Sequence, residues 1–153
     1  MNIRVQIEDK YKAAIKSKNI EEANILRLIK SAIKDEDIVN RSKESEKEIN
    51  NDQVLTVLQK LIKQRKDSID SFQTASRNDL IEKEQKEIDL IISFLPKQLN
   101  DDETKKVIEK IINDLNLLSI KDMGKLMNNL KTNYSGSVDM SLAGKIAKDL
   151  LNN

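Results

Sequence analysis

The sequence predicts an all-α protein, a four-helix N-terminal unit plus a small three-helix C-terminal unit, and three observations carry that expectation. Apolar residues recur at helical spacing almost from end to end. Aromatic residues make up only 3% of the 153, with three glycines and one proline, a poor supply for strands and their turns. Side chains suited to opening helices stand immediately before the apolar runs.

Ile3, Ile7, Tyr11, Ala14 and Ile15 mark a first helix of about four turns. Asn19 followed by Glu22 is a capping-box signal for a second helix, with Ala23, Leu26, Ile29 and Ile33 on one side. Ile25, Leu28 and Ala32 widen that apolar side, as expected of a helix buried between neighbours. Asn40 to Asn51 is polar, with Arg41, Lys43, Glu44, Glu46, Lys47 and Glu48, and reads as a helix fraying into an exposed loop. Asn50 or Asn51 can cap a third helix bearing Val54, Leu55, Leu58, Leu61, Ile62, Ile69 and Phe72. Ser76 to Asn78 breaks it. A fourth helix carries Ile81, Glu84, Ile88, Ile91, Ile92 and Leu95, and must stop near Pro96, because the residue before a proline disfavours helical geometry.

Residues 97–153 form the second expected domain, after an N-terminal domain of residues 1–96. Asn100 with Glu103 opens a helix with Val107, Ile108, Ile111, Ile112 and Leu115. Ser119 with Asp122 caps a short helix containing Ile120, Met123, Met127 and Leu130. After the loop Asn133 to Ser137, Asp139 caps a last helix with Ala143, Ile146, Ala147 and Leu150.

Composition removes whole classes of chemistry. There is no Cys, hence no thiolate nucleophile, disulfide or zinc–thiolate site. There is no His, hence no imidazole base and no Ser-His-Asp triad. No metal or cofactor is expected. The net charge is +1, and the basic and acidic counts are 18 and 18 over residues 1–96 and 9 and 8 over residues 97–153, so neither half is a polycation. The opening Met-Asn-Ile-Arg-Val-Gln-Ile-Glu is too polar for a signal peptide, and no run approaches the roughly 18 apolar residues of a membrane span. A cytoplasmic protein without membrane contact is the expectation.

Several segments carry a resemblance. Ile25 to Lys34, Val57 to Lys60 with Lys63 to Ser68, Phe94 to Leu99, and Met123 to Met127 together with Gly136, Asp139 and Lys148 to Leu151 form an ordered set. That set resembles the GatB/YqeY family across essentially the whole chain. The resemblance implies a helical domain followed by a tail like that of the B subunit of tRNA-dependent amidotransferase, where the tail is implicated in holding tRNA. It therefore implies a tRNA-handling C-terminal half, and it invites the label of a carbon–nitrogen ligase with glutamine as nitrogen donor.

The residues argue against this chain performing that reaction alone. Gly124, Gly136 and Gly144 are too few and too scattered for the Gly/Ser-rich signature of an amidase-type glutaminase, and the Cys-dependent type is excluded. Gly124-Lys125 lacks the preceding glycine-rich turn of a phosphate-binding loop. The carboxylates have structural explanations: Asp101, Asp102 and Glu103 complement a helix dipole, and Glu82, Glu84, Glu87 and Asp89 interleave with Lys83 and Lys86 as a solvated ion-pair face.

Basic residues are the remaining candidates. Lys121, Lys125, Lys131 and Lys145 are the expected phosphate contacts of a nucleic-acid surface in the second unit. Arg27, Lys30 and Lys34 line one helical stripe, and Lys60, Lys63 and Lys66 another. Arg27 and Arg65 are expected to pair across helices with Asp67, Glu84 or Glu87, in structural roles. Pro96 marks the junction, Gly124 is expected to permit close helix packing, Gly136 to supply a positive backbone angle, and Asp139 to cap. The run Ser135-Gly136-Ser137-Val138-Asp139 departs from the family, whose loops often carry Lys or Arg there. Tyr11, Phe72, Phe94 and Tyr134 are too dispersed for a single-strand stacking platform. Two readings stand: an accessory tRNA-binding module, non-catalytic alone, or a protein-interaction adaptor with no nucleic-acid role.

Overall fold

A computed structural model describes residues 2–43 and 48–152. The described residues form seven α-helices, one 3₁₀ turn and no strand, as the sequence predicts. In order these are α1 (Ile3–Lys16), α2 (Ile20–Lys43), α3 (Asn51–Thr74), α4 (Asn78–Ile92), α5 (Asp101–Leu115), the 3₁₀ turn Ile120–Asp122, α6 (Met123–Asn133) and α7 (Met140–Leu151). The chain divides into two compact units, Met1–Leu95 and Pro96–Asn153.

In the first unit, Ile3, Ile7 and Ala14 of α1 face Leu26, Ile29 and Ile33 of α2, and Val54, Leu58 and Ile62 of α3 meet Ile88 and Ile91 of α4. Fully burying one such Leu or Ile is worth about 1.5–3 kcal/mol relative to leaving it in water. Three expected core positions are exposed instead: Ile15, Leu28 and Ile92. On α2 the widening of the apolar side holds for Ile25, which is buried, and for the half-buried Ala32, and fails at Leu28 alone.

Helix ends explain the short loops. Asn2 accepts from the N–H groups of Arg4 and Val5, Asn19 from Glu22, and Asn50 from Gln53 in a reciprocal capping box. With so few glycines, the left-handed residue after a helix falls to Lys18, Ser76 and Asn116, at φ of 61°, 56° and 54°. Each sits where wrap-around bonds close the helix, such as Asn19 N–H to Ala14 O and Arg77 N–H to Phe72 O. Helix α4 ends at Ile92, ahead of Pro96, through tight turns donated by Phe94 and Leu95.

The expected exposed loop between Asn40 and Asn51 is corrected at both ends. Asn40 belongs to α2 and is buried, and Ile49 is buried in the core. Glu44, Glu46 and Lys47 lie outside the described residues. Ile49 is held by its backbone: its N–H donates to Asp37 Oδ1 at 2.9 Å, and its carbonyl accepts from Arg4 Nη2 at 3.2 Å. Arg4 also grips Asp37 with both terminal nitrogens. Burial alone would raise the Asp37 pKa, but the Arg4 hydrogen bonds, the Ile49 N–H and the charges of Arg4 and Arg41 outweigh it, holding the carboxyl below its ordinary value.

The two arginines expected to pair with carboxylates behave differently. Arg65 donates from Nε to Glu87 Oε2 at 2.9 Å, joining α3 to α4 with both side chains largely buried. Arg27 makes no ion pair among the described residues; it is exposed and donates to the Tyr11 hydroxyl and to Asn24 Oδ1. The cause is position: Arg27 lies on the side of α2 where Tyr11 of α1 is the polar neighbour in reach. Near Arg65, burial and then the Glu87 charge push the Glu84 carboxyl up, against the pull of Arg65 and Lys83.

Removing one member of a buried ion pair strands the other charge, so Arg65→Ala should cost about 3 kcal/mol in urea unfolding. Arg27→Ala should cost under about 1 kcal/mol, since its contacts are solvent-exposed; equal costs would contradict this assignment. Asp37 has a lowered folded pKa, so its contribution is present above the unfolded carboxylate pKa and is lost as pH falls through the folded one. Wild type should therefore lose stability on acidification over that window, and Asp37→Asn should lose less across the same pH series.

Candidate nucleic-acid interface

The second unit is built on caps. Asn100 and Glu103 form a reciprocal capping box on α5, Ser119 and Asp122 form another around the 3₁₀ turn, and Asp139 accepts from Ser141 and Leu142 at the start of α7. These are the caps the sequence predicts, although the short helix starts as a 3₁₀ turn before α6. Beneath them Ile108, Leu126, Leu130, Val138, Ala143 and Ala147 form the core. Thr104 is fully buried and donates its hydroxyl to the Asn100 carbonyl at 2.7 Å, so no buried polar atom is stranded there.

Gly136 sits at φ 79°, the left-handed angle expected of it. Its carbonyl accepts from Gln98 Nε2, and the next carbonyl, Ser137, accepts from Leu99 N–H at 2.9 Å. The loop is thus a clasp on the segment that follows Pro96. Gly124 does not serve the close packing expected of it: a Cβ built there meets nothing within 4 Å. It is the second residue of α6, with open space around it.

The four candidate lysines are all exposed, and among the described residues none of them forms an ion pair. They do not converge on one spot. Lys125 lines a shallow groove of about 430 Å³ with Leu115, Asn128, Asn129, Thr132 and Asn133. Lys131 is six residues further along α6, about 120° around the helix axis from Lys125. Lys121 belongs to the 3₁₀ turn and Lys145 to α7. Asp122 accepts from the Leu118 and Ser119 N–H groups, which with the Lys125 charge hold its carboxyl below the ordinary range despite partial burial.

The polar face of α6 was not anticipated as a unit, since only its lysines stood out. Its signal was present in the sequence: residues 125, 128, 129, 132 and 133 are spaced to share one face, about 110° around the helix from the buried Leu126 and Leu130.

The basic stripes of the first unit divide. Lys30 pairs with Glu8 at 2.6 Å and stands 4.3 Å above the centre of the Tyr11 ring, which also faces Arg27. The side-chain bond from Lys30, with the Lys30 and Lys12 charges, holds Glu8 below its ordinary pKa against the opposing effect of desolvation. Lys60, Lys63 and Lys66 are exposed along α3. Among the described residues no three acidic side chains gather to hold a metal, and no helix is long and apolar enough to cross a membrane.

Comparison with known proteins bears on the whole of this arrangement. The family described as Yqey-like protein matches residues 4–151. The chain belongs to the YqeY family. The match runs through both units, so the caps, the Gly136 clasp and the α6 face all lie within the YqeY-like region. An uncharacterized protein of Schizosaccharomyces pombe is 34% identical over 101 residues, covering 65% of this chain and 77% of that protein. A Pyrenophora tritici-repentis protein named altered inheritance of mitochondria protein 41, mitochondrial, is 34% identical over 83 residues. That alignment covers 54% of this chain and 43% of the fungal protein, so the likeness spans less than half the relative's length.

Gly124 and Gly136 should respond oppositely to alanine. Gly124→Ala should raise stability by about 0.5–1 kcal/mol, since alanine is the better helix former and the space is open. Gly136→Ala should lower it by about 1 kcal/mol or more, because φ 79° is strained for a side chain. Thermal unfolding of both variants beside wild type is the check.

Proposed function

We propose that this YqeY-family chain is an accessory tRNA-binding module, related through its second unit to the tail of tRNA-dependent amidotransferase and carrying no catalytic centre of its own. The observation that supports it most is the state of the basic residues in that unit. Lys121, Lys125, Lys131 and Lys145 stand in solvent without ion-pair partners among the described residues, on a unit in which Glu103, Asp122 and Asp139 are engaged as helix caps. Ammonium groups left free in this way can neutralise phosphates without first breaking an internal pair. Shape and backbone contacts, rather than base stacking, are how a folded RNA would be held. The expected compartment is the cytoplasm, although one relative is named a mitochondrial protein.

A second reading has its own observation. Leu118 is 87% exposed, and Leu115 and Ile120 nearby in sequence are exposed as well, at the turn between α5 and α6. Such side chains suit a protein-interaction adaptor that docks through an apolar corner.

A titration with unfractionated tRNA at two salt concentrations separates the two. Wild type should bind with a steep salt dependence, and Lys125→Glu with Lys131→Glu should weaken binding and reduce the log–log salt slope by about 2. Thermal stability should hardly change, because both side chains are exposed. Absence of salt-sensitive binding, or equal binding by the double variant, favours the adaptor. With glutamine, ATP and misacylated tRNA the purified chain should give no turnover. Amidation that scales with this protein after removal of contaminating amidotransferase would overturn the non-catalytic assignment.

A further inference from the structure

The groove beside Lys125 has a composition that phosphate binding alone does not explain. Asn and Thr can serve phosphate through their N–H and O–H groups, but their oxygens add acceptors that a phosphate cannot use. The groove places one ammonium among Asn128, Asn129, Thr132 and Asn133. Their internal bonds leave groups of both kinds facing out. Asn133 Nδ2 donates to Asn129 Oδ1 at 3.0 Å, leaving the Asn129 amide nitrogen and the Asn133 oxygen uncommitted in that pair. Thr132 donates its hydroxyl to the Asn128 carbonyl at 2.9 Å, which leaves its oxygen able to accept. The Asn128 amide makes no side-chain bond within the described residues.

Donors and acceptors beside a single cation match a ribose–phosphate backbone, in which each 2′-hydroxyl both donates and accepts and each phosphate only accepts. We infer that the α6 groove is a ribose 2′-hydroxyl-reading site, in which Asn128 and Asn129 contact the minor-groove edge of an RNA helix while Lys125 contacts a flanking phosphate. The inference rests on the RNA-binding reading above and adds what that reading lacks, a basis for telling RNA from DNA. The shape agrees. The face from Lys125 to Asn133 runs about 12 Å along a convex helix, a form that a wide, shallow RNA minor groove admits. Stacking on unpaired bases is disfavoured, because Tyr134 is the one aromatic residue of this unit and it packs against the core.

The test uses the full chain with hairpin stems of one sequence made as RNA and as DNA, the same RNA as an unpaired strand, and unfractionated tRNA. Wild type should prefer the RNA stem over the DNA stem by about tenfold, the worth of two ordinary hydrogen bonds. Asn128→Ala with Asn129→Ala should lose about that factor on the RNA stem and nothing on the DNA stem. Alanine is the better helix former, and circular dichroism of the variant confirms that α6 is retained. Lys125→Glu should weaken both stems alike. Three results would each overturn the site while leaving tRNA binding intact: equal wild-type affinity for the two stems, an alanine variant that keeps the RNA preference, or an unpaired strand bound as tightly as the stem. Failure of wild type to bind either the stems or tRNA would overturn this site together with the reading it rests on.

Discussion

Arg4, Asp37 and the backbone of Ile49 share one contact, and the order of helices in the first unit depends on it. Asp37 lies in the buried part of α2, where an ionised carboxylate is costly unless its oxygens are occupied. Two guanidinium nitrogens from α1 and the Ile49 N–H occupy them, and the same guanidinium takes the Ile49 carbonyl. The start of α1, the end of α2 and the approach to α3 are thereby fixed to one another by polar geometry as well as by apolar packing. The Ile3 N–H, which donates to Asn51 Oδ1 at 3.3 Å, adds a second tie, between the starts of α1 and α3. A bidentate arginine is suited to this because its fork has no acceptor of its own to satisfy.

The two units differ in where positive charge is consumed. Among the described residues the first unit commits Arg4, Lys30, Arg65, Arg77 and Lys86 to carboxylates, whereas the second unit commits Lys97 alone. The difference follows from construction. In the first unit Arg4–Asp37 and Arg65–Glu87 join helices in partly buried contact, where a charge needs a partner, while the other three pairs are solvent-accessible. The shorter helices of the second unit bury aliphatic side chains and one threonine, and secure their ends with Asn, Ser and Asp caps. Five of its eight acidic residues, Asp101, Asp102, Glu103, Asp122 and Asp139, stand at helix starts, where the dipole and the free N–H groups favour them. Lysines elsewhere on its surface remain uncompensated.

What was legible in the sequence was whatever is local. Helix starts at Asn50, Asn100, Ser119 and Asp139 were readable because a cap and its target lie within three residues. The positive angle at Gly136 was readable because one residue type dominates there. Partners separated by tens of residues were not. Arg4 carried no signal of its role, because Asp37 is 33 residues away and nothing near Arg4 anticipates it. Arg27 and Arg65 look alike in local context, and only the packing of neighbouring helices decides that one meets Glu87 and the other Tyr11. Gly124 misled for a related reason: a glycine early in a helix can serve packing or nothing, and the difference is the distance to the next atom. The α6 groove was half legible. Its lysine stood out as a charge, while its asparagines read as ordinary polar surface until Leu115 from the preceding helix supplied the opposite wall.

The near-zero net charge, which in a uniform surface would argue against a polyanionic partner, loses force once charge is followed residue by residue. A binding surface responds to local charge within about a Debye length, roughly 8–10 Å at ordinary ionic strength, and not to the total over 153 residues. Acidic groups engaged as caps have part of their field offset by the N–H groups they accept from, as Asp122 does with Leu118 and Ser119. An adjacent lysine keeps more of its outward potential than a simple count of charges implies. Lys125 stands beside Asp122 in this way, with the α6 amides on its other side. A partner approaching that face would meet one cation and several neutral groups able to donate and accept. Such a surface suits weak attraction with discrimination better than strong attraction without it, which is the balance expected of an accessory module rather than of a bulk polycation.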